Sequence, residues 1–145
     1  MRRKLYFAHP INTYNSDLEE YLVEIVQEYF AAWEIENPNQ QKHQDGYKKF
    51  REEKGNGMRY FTEEVLPECR GIIALPFRDG KWGAGVAKEV LYFLENKLSA
   101  WQISLKGQLV VVVDLLPEDL GEDMILSVEE TRARLRDADG NSVPY

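Results

Sequence analysis

Apolar residues in this chain occur in short unbroken runs that alternate with stretches of helical spacing, and that alternation predicts the elements. Residues 4–8 read as a buried strand stopped by His9-Pro10. Ser16 or Asp17 then stands where a helix cap belongs, before a stripe of Leu18, Leu22, Ile25, Val26, Tyr29 and Phe30. Residues 33–36 form a weaker strand ended by Asn37-Pro38, and 44–53 a polar helix that stops at the Gly55-Asn56-Gly57 turn. Within 58–68, Tyr60, Phe61, Val65 and Leu66 keep helical spacing. The apolar run 71–75, bounded by Pro76, suits a fully buried parallel strand.

A loop over 77–82 opens a helix from about 83 to 97. Segment 98–107 is not assigned. The valine run 109–113 predicts the most central strand of the sheet, ended by Asp114. Residues 124–126 suggest a short edge strand, and Ser127 with Glu130 forms a capping box for a helix over 128–136. Together these elements predict one α/β domain over residues 1–145, a doubly wound, flavodoxin- or Rossmann-like three-layer sandwich with a short, mainly parallel sheet of about five strands. Ligands of such sheets bind outside the carboxyl ends of the strands, which directs attention to the loops after Ala8, Leu75 and Val113.

The charge of the chain narrows its partners. A formal net charge of -7 makes long nucleic acid an unattractive partner. The mixed patch of Lys42, Lys48, Lys49, Arg51 and Lys54 is interrupted by Asp45, Glu52 and Glu53 and reads as a solvated helix. No apolar run reaches the roughly 20 residues of a membrane span, so no membrane partner is expected. Arg2, Arg3 and Lys4 precede an apolar stretch too short for a signal peptide. A single cysteine, Cys69, suits a reducing compartment, and the expected location is cytoplasmic.

The chemistry centres on Glu89. Its neighbours three and four residues away are Gly85, Val86, Tyr92 and Phe93, so no helical ion pair is available to it. A glutamate near a helix N-terminus is also stabilised by the helix dipole with no further role. Gly83, Ala84, Gly85 and Ala87 precede it, small enough for a ligand to approach or for tight packing. Gly-Ala-Gly lacks the dinucleotide fingerprint and no P-loop occurs, so no cofactor is expected. Cys69, His9 and His43 show no metal-ligand spacing and no metal is expected, while the absence of Gly-x-Ser-x-Gly leaves serine hydrolase chemistry without support.

Two stretches carry a family resemblance. Leu5-Tyr6-Phe7-Ala8-His9-Pro10 and Gly85-Val86-Ala87-Lys88-Glu89 resemble the first strand and turn, and the glycine-led glutamate motif, of the nucleoside 2-deoxyribosyltransferase superfamily, which includes the deoxynucleoside 5′-monophosphate N-glycosidases. The resemblance implies that Glu89 is the nucleophile at an anomeric carbon and that Tyr6 orients its carboxylate. Asp79 is the candidate acid for the leaving base, or else it shapes the Arg78-Asp79-Gly80 turn.

The loops at the strand ends and the small residues before Glu89 make His9, Pro10, Asn12, Gly83 and Gly85 candidate substrate contacts, with His9 standing where members of the family commonly carry small residues. Trp82 and Tyr14 are rings that stack on a base or pack in the core, and the terminal Tyr145 resembles chain ends that approach the site in relatives. Two positions depart from the pattern. Gly83 and Ala84 occupy a stretch where transferases of the family often carry an acid, and Ala84 stands where the monophosphate glycosidases often carry serine.

The implied partner is a small nucleoside or nucleotide, handled by a homo-oligomer that transfers the sugar to a base or to water. The alternatives are a module that binds such a ligand without turnover, and an oligomeric structural protein.

Overall fold

The computed structural model describes residues 2–145. Five strands form one sheet in the order β2-β1-β3-β4-β5: β1 (Arg3–Ala8), β2 (Trp33–Glu36), β3 (Gly71–Ala74), β4 (Ser99–Lys106) and β5 (Leu109–Asp114). The first four run parallel and β5 returns antiparallel along β4. The α/β architecture and the strand order match the doubly wound flavodoxin-like arrangement.

Leu5 to Ala8 and Ile72 to Ala74 are buried on both faces, as continuous apolar runs in a covered parallel sheet require. Leu5, Phe7 and Ile73 pack toward Leu22 and Val26 of α1 (Asp17–Tyr29). Tyr6, Ala8 and Ile72 pack on the opposite face against Val65 and Leu66 and against Val86, Val90 and Phe93 of α4 (Ala84–Glu95). Ser16 caps α1 by accepting the Glu19 N–H at 3.1 Å. Tyr29, at the margin of the expected stripe, is exposed.

Between β2 and β3 the chain forms α2 (Gln41–Lys54), ended by Gly55 in the left-handed conformation at φ 73°. It then runs through α3 (Met58–Tyr60), a π-helical turn at Phe61–Val65 and a 3-10 turn at Leu66–Glu68. The single helix expected over 58–68 is therefore wound in three pitches. The last helix, α5 (Val128–Leu135), begins at the expected capping box of Ser127 and Glu130. Among the described residues no helix is long and apolar enough to cross a membrane.

Two strand expectations are corrected. The valine run is not central: β5 is the outer edge of the sheet, with Leu109 and Val113 exposed. The central strand is β3, and the place between it and the valine edge belongs to β4, in the unassigned segment, where Trp101, Ile103 and Leu105 alternate with Gln102 and Ser104. Valine's branched side chain suits any pleated surface, so a valine run marks a strand without fixing its place in the sheet. Residues 124–126 form no strand of the sheet; they make one isolated bridge, Ile125 to Trp82.

Candidate active site

β1 and β3 are neighbours, and the chain leaves their ends toward opposite faces, into α1 and α4. The loops part there and leave a crevice. It holds a cavity of about 660 Å³ with largely apolar walls, closed on its other sides by α2, the π-helical turn and α5.

At its floor, Tyr6 from the buried end of β1 donates its phenolic O–H to Glu89 Oε2 at 2.6 Å. Glu89 stands in the second turn of α4 and is 6% exposed. No cation pairs with it among the described residues. Burial pushes its carboxyl up to about 7, against the opposing pull of the Tyr6 hydrogen bond. Burial, and then the Glu89 charge, push the Tyr6 phenol well above its ordinary value. Phe61 meets the Tyr6 ring edge-on at 6.4 Å. This carboxyl is held by one donor in a largely apolar wall, close to half ionised at neutral pH.

The other expected residues divide sharply. Pro10, Gly83 and Gly85 line the cavity. Gly83 also has a packing reason, because a Cβ there would lie 3.3 Å from Thr131 Cγ2 and 3.4 Å from the Phe77 ring. His9 lines the cavity too, but its nitrogens are engaged elsewhere: Nδ1 lies 2.9 Å from the Phe7 carbonyl and Nε2 lies 2.7 Å from Glu19. It offers a ligand its ring, stacked on Phe7 at 4.2 Å, rather than a hydrogen bond. For Glu19, burial works to raise the carboxyl, but hydrogen bonds from His9, the Asn15 N–H and Asn39 outweigh it and hold the group below its ordinary value.

Four expected site residues lie away from the cavity lining. Asp79 accepts two hydrogen bonds from Arg134, at 2.9 and 2.7 Å, on an exposed turn. The Arg134 bonds hold its carboxyl down at about 2, so it is ionised at neutral pH and has no proton to give a leaving base. Its turn-shaping role is the one observed, with Oδ1 accepting the Lys81 N–H at 3.2 Å. Trp82 is buried in the core and donates Nε1–H to the Asp119 carbonyl at 3.2 Å. Asn12 donates to the Val143 carbonyl at 2.9 Å, tying down the C-terminal segment. Tyr145 donates to the Pro76 carbonyl and stacks on Phe77, bracing a cavity residue from behind.

Sequence reasoning missed the wall supplied by α2. His43, Tyr47 and Arg51 follow one another at four-residue spacing and all line the cavity, the periodicity that could have marked a second working face on a polar helix. His43 is fixed by Glu36 at 2.7 Å and by the Tyr60 hydroxyl at 2.8 Å. Arg51 and, at the end of α5, Arg136 line the cavity without an ion-pair partner among the described residues.

Among the described residues no group of three or more His, Cys, Asp or Glu side chains is arranged to hold a metal ion. Comparison of the chain with family models, with curated proteins and with solved structures finds no match.

Proposed function

We propose that the protein cleaves or transfers the N-glycosidic bond of a deoxynucleoside or nucleotide, with Glu89 as nucleophile. One observation carries the reading: a buried carboxylate without a cation, steadied by the Tyr6 hydroxyl at the floor of a cavity large enough for a nucleoside. Ionised Glu89 attacks the anomeric carbon; the new C–O bond forms as the C–N bond breaks, and the base leaves with the bonding pair. The base takes its proton from water in the open cavity, since Asp79 is ion-paired outside it. Water or a second base then attacks the same carbon, its new bond forming as the ester C–O bond breaks. The Glu89 carboxylate is released while the attacking group's proton passes to solvent, balancing the one the first base took up. Tyr6 keeps the reacting oxygens oriented, while Tyr14, Tyr47 and Phe61 provide flat walls for the base. Arg51 and Arg136 suit an anionic substituent on the sugar. The chemistry needs no cofactor and is compatible with a cytoplasmic enzyme.

The test incubates the protein with deoxynucleosides and their 5′-monophosphates, with and without an acceptor base, and follows base release by chromatography. Release that disappears in Glu89→Ala supports the enzyme. A second reading, a binding module without turnover, is favoured by the lack of any other carboxyl group in the cavity lining. It predicts saturable binding of the same compounds by calorimetry and no base released in any mixture.

A further inference from the structure

The two edges of the sheet are built to different standards. The β2 edge is four residues long and carries Glu34 and Glu36, while the Arg3 guanidinium lies 4.1 Å over the Trp33 ring. Short length and charge are the usual means of keeping an edge from pairing with another chain. The β5 edge has six residues, and no charged residue lies between Lys106, across the turn, and Asp114 at its end.

Register with β4 places Val110 and Val112 on the α1 side, where they pack partly into the core. Leu109, Val111 and Val113 therefore stand on the opposite face, with Leu109 70% and Val113 48% exposed. Leu116, just beyond the strand, is also exposed. The free side of β5 presents backbone N–H and C=O groups that no strand in the sheet receives. The hairpin is also under-supported: β4 pairs with β3 only from Ser99 to Gln102, so residues 103–106 and 109–112 continue as a two-stranded ribbon. Such a ribbon is marginal alone and gains from a third strand.

We propose that this edge is a homodimer interface in which β5 pairs antiparallel with β5 of a second copy, making a continuous ten-stranded sheet. Charge singles out the occupant. The ribbon is basic at Lys106, on β4 across the turn, and acidic at Asp114, so antiparallel pairing about a two-fold axis turns the basic end of each ribbon toward the partner's acidic end. Between these ends the strip is neutral, and in a molecule of net charge -7 it is where two like-charged copies approach with least repulsion. The apolar stripe of Leu109, Val111 and Val113 then continues across the two-fold as cross-strand pairs of its own kind. The interface does not depend on the chemistry assigned to Glu89.

Sedimentation and light scattering of the full chain over a wide concentration series test the proposal. The expected species is a dimer of twice 16.9 kDa, with residues 109–114 protected from amide deuterium exchange and losing that protection on dilution. Leu109→Lys and Val111→Lys each weaken association by about tenfold or more, the first by setting a charge against the partner copy's apolar stripe and the second by putting like charges together at the two-fold. The circular dichroism of each remains that of the parent. Lys106→Asp and Asp114→Lys, both at exposed positions, each weaken the dimer, and the double exchange restores it. A monomer at every concentration overturns the proposal. So does a dimer that leaves 109–114 unprotected and ignores both lysine substitutions.

Discussion

Glu89 and Asp79 lie ten residues apart, both after β3, and in the sequence both are acids near a glycine-containing stretch. The fold gives them opposite surroundings. Asp79 sits on an exposed turn between two guanidinium N–H groups, which hold its carboxyl at about 2. Glu89 sits in an apolar wall with one phenolic donor and no cation, and burial raises its carboxyl to about 7. Partners, and not position in the chain, decide which acid stores chemical potential and which merely fastens a loop.

The contrast breaks first at Glu89. Glu89→Gln keeps the shape and an acceptor for Tyr6 but removes the proposed nucleophile, so base release is expected to fall by about a thousandfold or more, read by chromatography. The same substitution changes stability in a pH-dependent way. Because the folded carboxyl lies above its unfolded value of 4.5, its contribution is fully present below pH 4.5 and is lost as pH rises through about 7. Denaturant titration should find the Gln variant more stable than the parent by about 3 kcal/mol at pH 8 and little different at pH 4. Equal stability differences at both pH values would place the carboxylate in water and end the comparison.

A smaller effect is expected at Tyr6. The proposed reaction needs ionised Glu89, so activity is expected to climb with pH through about 7. Tyr6→Phe removes the interaction that opposes burial, moving the midpoint of the pH profile upward and lowering the rate at pH 7 by about 10- to 100-fold. An unmoved midpoint would show that the phenol does not govern the acid. The smallest effect belongs to Asp79→Asn: a loss below about 1 kcal/mol, as for other solvent-screened pairs, with an unaltered pH profile. A large kinetic defect there would reinstate Asp79 as a participant in the reaction.

What could be read from the chain follows from how local each signal is. The runs Leu5 to Ala8 and Ile72 to Leu75 announce two-sided burial in their own composition, and the caps at Ser16 and Ser127 are three-residue patterns. The order of strands across the sheet is not local. Four valines look more deeply set than Trp101, Ile103 and Leu105 alternating with polar residues, yet the alternating strand lies inside and the valines outside. The approach of Tyr6 to Glu89, 83 positions apart, was implied by the family resemblance of the two short motifs that carry them and not by any local pattern. The Asp79 to Arg134 pair joins residues 55 positions apart, with nothing in either neighbourhood to announce the other. The cavity face of α2 was hidden because charged residues around His43, Tyr47 and Arg51 resemble an ordinary wet helix.

The π-helical turn at Phe61–Val65 has a consequence for how this chain tolerates change in length. Its looser winding lets Tyr60 reach His43 and Phe61 reach Tyr6 while Val65 and Leu66 stay anchored in the core. Deleting one residue there would restore ordinary pitch and swing the two rings by about 100° relative to those anchors. A lineage that shortened this turn would therefore trade away the aromatic wall while its sheet survived intact.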